Sequence, residues 1–333
     1  MATWNESIET LTNKLVTEGP AVAGRWLRDE QQKAIARIAE LRGKDGQPRN
    51  VIVYASCWLQ KVVPASYFIV TPEDINGFMS AIHGMDCKKG LTLILHTPGG
   101  VGAAAQTIMA YLHSKFDYIE AIIPTYAMSA GTMMALGANK IVMGRQSQLG
   151  PIDAQLQFGG VSVSAQAVVD QFNRAMGEIV GPQGSVLAAH VWAPILQSLG
   201  PSLLQEAKMA LEYGESMVAD WLEKRMFNGQ ADAAKKAAEV ATHFNAASLH
   251  KSHGKRIDRV EVRSKGVPVD DLEEPQDFQD AVLTAYHLCT IGFETSPAAK
   301  IILSSAPGSG WVKNYAVQAP PNSLPVKPVT PVN

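Results

Sequence analysis

Six consecutive residues, Leu91-Thr92-Leu93-Ile94-Leu95-His96, form an apolar run that halts at Thr97-Pro98-Gly99-Gly100. An uninterrupted apolar run closed by turn residues is the mark of a strand buried on both faces. Similar units recur on either side of it. Val51-Ile52-Val53-Tyr54-Ala55-Ser56 is rich in β-branched and aromatic residues. Thr71-Pro72-Glu73-Asp74 reads as a helix start: Thr71 can cap, Pro72 suits the first turn, and Asp74 stands in for the Glu of a capping box. Ile75, Phe78, Met79 and Ile82 follow at helical spacing. A helix is expected over about Ala103–Phe116, a strand over Tyr118–Ile123, a short helix near Ala130–Ala138 and a strand over Lys140–Met143. Strands alternating with helices imply right-handed βαβ crossovers and a mostly parallel sheet. The expected fold class is therefore α/β.

The flanks read differently. Residues 3–42 look helical, with Ile8, Leu11 and Leu15 on one stripe, and form an arm packed on the body or on a neighbouring subunit. Lys44-Asp45-Gly46-Gln47-Pro48 marks a boundary. Beyond Asp153 the pattern loosens, and Gly159–Val180 is mixed. Pro201 to about Met226 is a long amphipathic helix, followed by a helix over about Ala231–His243 and a loop over His250–Val260. From Gln318 onward five prolines make an extended or disordered tail. The expected division is an arm over 1–47, a main domain over 48–300 and a C-terminal extension over 301–333.

Composition excludes several classes of function. The chain has 333 residues, 46% hydrophobic and 18% charged, with a formal net charge of -2. A sizeable core is affordable, and there is no electrostatic footprint for nucleic acid. Cys57, Cys87 and Cys289 share no close spacing, which argues against a disulfide framework and a zinc knuckle and suits a reducing compartment. No metal or other cofactor is implied. The N-terminus lacks a basic segment leading into an apolar run, and no stretch of about 18 apolar residues occurs. A cytoplasmic protein without a membrane span is expected. Lys235-Lys236 and the Lys251–Arg259 segment are basic but interleaved with acids, as on a solvated face.

Acyl transfer needs a nucleophile on a rigid element, donors aimed at the developing oxyanion, a base and a groove. Two strand ends supply the first two. After the first, Gly99-Gly100 lets a ligand approach the backbone closely and turns N–H groups toward an anion. After the second, in Tyr126-Ala127-Met128-Ser129-Ala130-Gly131-Thr132, small residues clear space around Ser129 at a helix start, where the Ala130 N–H is free to donate. Taken singly, Ser129 is an ordinary helix cap, and Gly99-Gly100 a tight turn or phosphate loop. Together, on adjacent βα units, they are more specific.

The segments LILHTPGG, AIIPTYAMSAGTMMALGANKIVMG and SQLGPIDAQ resemble the serine dehydrogenase proteinase family. That family lies among the Clp-fold peptidases, with the Clp proteolytic subunit and signal peptide peptidase A. The match is strongest over about residues 50–155. The resemblance implies a Clp/crotonase-like α/β fold. It implies Ser129 as nucleophile, the N–H groups of Gly100 and Ala130 as the oxyanion hole, and Gly150-Pro151-Ile152-Asp153 as a loop near the groove. It implies peptide or protein substrates, bound as an added strand beside Gly99-Gly100, and a homo-oligomeric ring. Many relatives carry an N-terminal membrane helix, and this sequence departs from them there. With no P-loop present, any ATPase or unfoldase would be a separate partner.

Two residues compete for the role of base. Lys208, one step from the apolar stripe of the long helix, would serve if partly desolvated, and otherwise snorkels at a helix shoulder. His253, before Gly254 in a loop, matches a family His and is a base suited to neutral pH, with Asp258 or Asp153 to orient it. His96 reads as a core histidine. Met128, Met133 and Met134 are expected in packing, and would line an apolar substrate pocket. Two alternatives stay open at this point. One is a Clp-fold scaffold subunit without a working base; the other is a crotonase-type acyl-CoA enzyme, against which Ser129 and the GPID loop both speak.

Overall fold

The structure, a computed structural model, describes residues 3–158 and 160–315. Its centre is a seven-stranded sheet in the order Val269–Asp271, Lys140–Met143, Ile119–Ile123, Leu91–His96, Asn50–Ser56, Ala298–Ser304, Gly310–Asn314. The first five strands are parallel, and the last two form an antiparallel pair added to the Asn50–Ser56 edge. Strands Asn50–Ser56, Leu91–His96 and Ile119–Ile123 are buried along their whole length. Both faces of the sheet are covered, which is why these strands are continuously apolar and do not alternate.

The side chains sort by strand parity. Ile52 and Tyr54 face a core built with helices Asp74–Ile82, Gly102–Lys115, Ala130–Leu136 and Leu203–Trp221. Val51, Val53 and Ala55 face a second core under helices Trp4–Thr17, Pro20–Leu41 and Gln276–Thr295. The N-terminal arm thus packs on this chain's own body. Trp4 donates to Thr290 at 3.3 Å, and Gln31 donates to the Leu288 carbonyl at 3.1 Å. The arm ends in Arg42, whose guanidinium grips the fully buried Glu120 of strand Ile119–Ile123; Thr92 donates to the same carboxylate at 3.0 Å.

The structure sharpens three expectations. The boundary at residue 300 cuts through strand Ala298–Ser304, which pairs with a neighbour on each side, so the sheet runs on to Asn314. The mixed segment Gly159–Val180 resolves into a hairpin, Gln155–Phe158 with Val161–Ser164, and a helix, Ala165–Val180. The Pro201–Met226 helix divides into Leu203–Trp221 and a wider turn over Leu222–Met226. The Pro-rich tail lies outside the described residues. Among those described, no helix is long and apolar enough to cross a membrane.

His96 is buried at the end of its strand. Its Nδ1 meets Thr125 Oγ1 at 2.9 Å, and its Nε2 has no partner among the described residues. Burial pushes its pKa down to about 3. Between about pH 6.5 and 3 the unfolded chain therefore binds a proton that the folded chain refuses. Its contribution to stability is full above the unfolded pKa and is lost as pH falls through that window. His96→Phe, followed by urea titration at pH 7 and pH 4.5, is expected to show a smaller acid-induced loss of stability than the parent chain.

Candidate active site

A cleft of about 520 Å³ opens at the carboxyl ends of the parallel strands. Its wall contains Pro98–Gly102, Ser129, Met133, Ile152, Asp153, Gln155 and His253, with Ala210, Tyr213, Gly214 and Met217 of the long helix. Ligand sites in open α/β sheets lie at these strand ends.

Ser129 sits between strand residues Tyr126-Ala127 and helix Ala130–Leu136. Its backbone is at φ 49, ψ -116, a left-handed conformation that is uncommon for a residue other than glycine. Such a turn costs about 1–3 kcal/mol and persists only where its surroundings enforce it. Here they do. Met128 N–H donates to the Thr97 carbonyl at 3.0 Å, Gly131 N–H to the Met128 carbonyl at 2.8 Å, and Met133 N–H to the Ser129 carbonyl at 3.0 Å. The Ser129 hydroxyl makes no capping hydrogen bond. The ordinary helix-cap role is thus not the one it plays, and the hydroxyl is left for the cleft.

The glycine turn is pressed against this serine. A Cβ on Gly99, which is at φ 93, would lie 2.6 Å from Ser129 Cβ and 2.9 Å from the Ala130 nitrogen. Gly100, at φ 151, is bridged to Val70 on its other side. Among the described residues, neither the Gly100 nor the Ala130 N–H donates to any group of the protein. Two unspent donors beside a strained serine make a binding place for a negatively charged oxygen.

Two of the candidate residues come together in three dimensions. His253 Nδ1 meets Asp153 Oδ1 at 2.7 Å. Asp153 is almost wholly buried and also accepts from Gln155 at 2.8 Å and from Ser164 at 3.4 Å. A carboxylate only accepts, so Nδ1 is the donor to Asp153, and in the neutral ring the lone pair falls on Nε2. No hydrogen bond joins Nε2 to the Ser129 hydroxyl among the described residues; such bonds are commonly loose before substrate binds. Asp258, the other candidate partner, instead caps the helix Arg259–Ser264 by accepting from Glu261 N–H at 2.9 Å.

Lys208 lies apart from this pair. It is exposed, and it lies outside the cleft wall. At 3.6 residues per turn, the cleft-facing Ala210, Tyr213, Gly214 and Met217 all point within about 60° of directly opposite Lys208. Lys208→Ala is therefore expected to leave kcat/KM within about twofold of the parent on any substrate the chain turns over; a larger loss would restore Lys208 as a base. Met128 is displaced too: its thioether packs against Gly150, where an added Cβ would lie 2.6 Å from Met128 Cε. Met133 and Met217 line the cleft in its place. Gly150 N–H donates to Thr132 Oγ1 at 2.9 Å, and that hydroxyl donates to the Ala127 carbonyl at 2.7 Å, so the GPID loop is stitched to the serine turn. Among the described residues, no cluster of three or more His, Cys, Asp or Glu side chains is arranged to hold a metal.

A strained serine, two free N–H donors and an Asp-His pair in one cleft define the serine-hydrolase class of site. Residues 25–191 match the model of the ClpP-like SDH-type serine proteinases, and the chain belongs to that family. Two proteins of Methanocaldococcus jannaschii are similar over part of it. The uncharacterized protein MJ0137 is 42% identical over 90 residues, 27% of this chain and 32% of its own length. The uncharacterized protein MJ1495 is 36% identical over 98 residues, 29% of this chain and 34% of its own length. The chain thus spans about a third of these curated relatives. Among solved structures, a lysine-to-alanine mutant of the 1510-N membrane-bound stomatin-specific protease with a substrate peptide aligns at 16% identity and TM-score 0.38. That alignment covers 74% of this chain and 85% of the other. A serine-to-alanine mutant of the same protease aligns at 17% and 0.37, covering 64% and 79%.

Proposed function

We propose that this chain is a serine endopeptidase that works through an acyl-enzyme on Ser129. The observation that supports it most is the Asp153–His253 hydrogen bond opening on the same cleft as an uncommitted, backbone-strained serine. In the proposed sequence, Ser129 Oγ attacks the scissile carbonyl carbon as His253 Nε2 takes its proton. The carbonyl oxygen becomes an oxyanion facing the N–H groups of Gly100 and Ala130. The C–N bond then breaks, and the leaving amine takes the proton from His253. Water repeats the steps to release the acid and restore the serine. Asp153 holds the imidazole in the right tautomer and stabilises its cation. Lys208 has no part in this scheme.

The substrate is an extended peptide. One side of Gly99-Gly100 is held by Val70, and the other opens on the cleft, where a strand can add. We further infer a homo-oligomer. Met176, Val180, Val186, Leu187 and Val191 form exposed apolar surface on consecutive helices that a second copy would cover. Light scattering that returns a single-chain mass at micromolar concentration would remove that part of the proposal.

Pre-steady-state hydrolysis of a peptidyl p-nitrophenyl ester tests the acyl-enzyme. A burst of nitrophenol approaching one equivalent per chain is expected, absent in Ser129→Ala. A folded chain with neither burst nor turnover would favour the scaffold reading. A stoichiometric coenzyme A complex without a burst would favour the crotonase type.

A further inference from the structure

One of the two free donors, the Gly100 N–H, takes its direction from Val70. In a parallel pairing, one residue bonds to the two neighbours of the residue opposite it, and the opposite residue's own N–H and C=O point away. Val70 does this to Gly100. Its N–H donates to the Gly99 carbonyl at 2.7 Å, and its carbonyl accepts from Val101 N–H at 2.9 Å. The Gly100 N–H is thereby turned from Val70 toward the cleft. The contact is tight: a Cβ on Gly100 would lie 2.5 Å from the Val70 nitrogen. The aim of this donor is therefore set by where Val70 sits.

Val70 belongs to no regular strand or helix. Its two neighbours are held instead by a buried ionic cluster. Lys300 Nζ donates to the Ile69 carbonyl at 2.7 Å. Thr71 N–H donates to Asp74 Oδ2 at 2.9 Å. The two grips are joined, because Lys300 Nζ also meets both Asp74 oxygens, at 2.6 and 2.8 Å. The Tyr54 hydroxyl donates to the same carboxylate at 2.8 Å. Lys300 and Asp74 are both fully buried. A buried ion pair is a poor source of stability, since desolvation consumes most of the attraction. Burial drives the Lys300 ammonium toward its neutral form, and the Asp74 charge opposes it. A pair so placed is better explained by what it holds in position.

We propose that Lys300 and Asp74 are positioning residues for the peptidase reaction. They clamp Ile69 and Thr71, thereby fixing Val70 and aiming the Gly100 N–H at the oxyanion. Neither residue touches substrate. The proposal rests on the peptidase reading of Ser129 given above.

The test uses the full chain, Lys300→Met, and the double variant Lys300→Met/Asp74→Asn. The double variant leaves no unpaired buried charge and so keeps the test open if the single one fails to fold. Two readouts separate aiming from general stability. The first is the split between kcat and KM on a peptidyl coumarin amide that the parent hydrolyses. The second compares the peptide aldehyde acetyl-leucyl-leucyl-norleucinal with its alcohol. The aldehyde forms a hemiacetal oxyanion on Ser129, whereas the alcohol does not. Removing one oxyanion donor costs about 10²–10³ in kcat, so misaiming one is expected to lower kcat about 10- to 100-fold, with KM within about twofold. Aldehyde affinity should fall by a similar factor and alcohol affinity should hold. Unchanged kcat in a folded variant, or parallel weakening of aldehyde and alcohol, would overturn the proposal. A parent chain that neither hydrolyses the amide nor prefers aldehyde to alcohol would instead overturn the peptidase reading, and this inference with it.

Discussion

Ser129→Ala is expected to lower kcat/KM on a peptide substrate by at least about 10,000-fold, because the proposed acyl intermediate forms on this hydroxyl. The loss should fall on kcat, with binding of the peptide retained. Stability gives an independent signature. Ser129 is at φ 49, a conformation that glycine adopts at no steric cost. Ser129→Gly should therefore be as inactive as Ser129→Ala yet more stable than the parent by about 1 kcal/mol. Denaturant titration alongside kinetics checks both. A more stable, inactive Gly variant marks a strained backbone kept for its chemistry; a less stable one would mean that the hydroxyl has a structural task.

His253→Ala is expected to cost about 10³–10⁶ in kcat, and Asp153→Asn about 10²–10⁴. The Asn variant keeps the packing around residue 153 but can present its NH2 to the ring, which stabilises the wrong tautomer. The members of such a unit do not act additively. Ser129→Ala/His253→Ala should be no slower than Ser129→Ala alone, because the base has nothing to activate once the nucleophile is gone. Steady-state rates of the four chains on one substrate decide it. Asp153→Asn at the parent rate would detach Asp153 from the site. A His253→Ala chain that keeps more than a tenth of the parent kcat would send the search for the base elsewhere.

Much of this site was readable before any coordinates. The Leu91–His96 strand could be bounded correctly because an apolar run that ends in Pro98-Gly99-Gly100 has few other uses. Ser129 was marked by the small residues around it and by the glycine turn one βα unit earlier. Its strained φ was not, because nothing in Met128-Ser129-Ala130 announces a left-handed backbone; tertiary contacts with Thr97 and Gly99 impose it. The base was undecidable from spacing. Lys208 and His253 each satisfy a local rule; the direction of one helix face and the return of the 250–256 loop to Asp153 are what favour His253 in the proposed scheme. The Asp153–His253 pair spans 100 positions, beyond the reach of any periodicity. The antiparallel pair Ala298–Ser304 and Gly310–Asn314 escaped notice because helical spacing dominates the preceding segment. Lys300, a charged residue buried inside that strand, conceals it further.

If Ser129 is an activated nucleophile, the purified chain reacts there with a fluorophosphonate, read by intact mass and by peptide mapping. One phosphonyl group per chain is expected, located on Ser129, absent in Ser129→Ala and strongly slowed in His253→Ala. A folded parent chain that takes up no label, or takes it up at another serine, would contradict it.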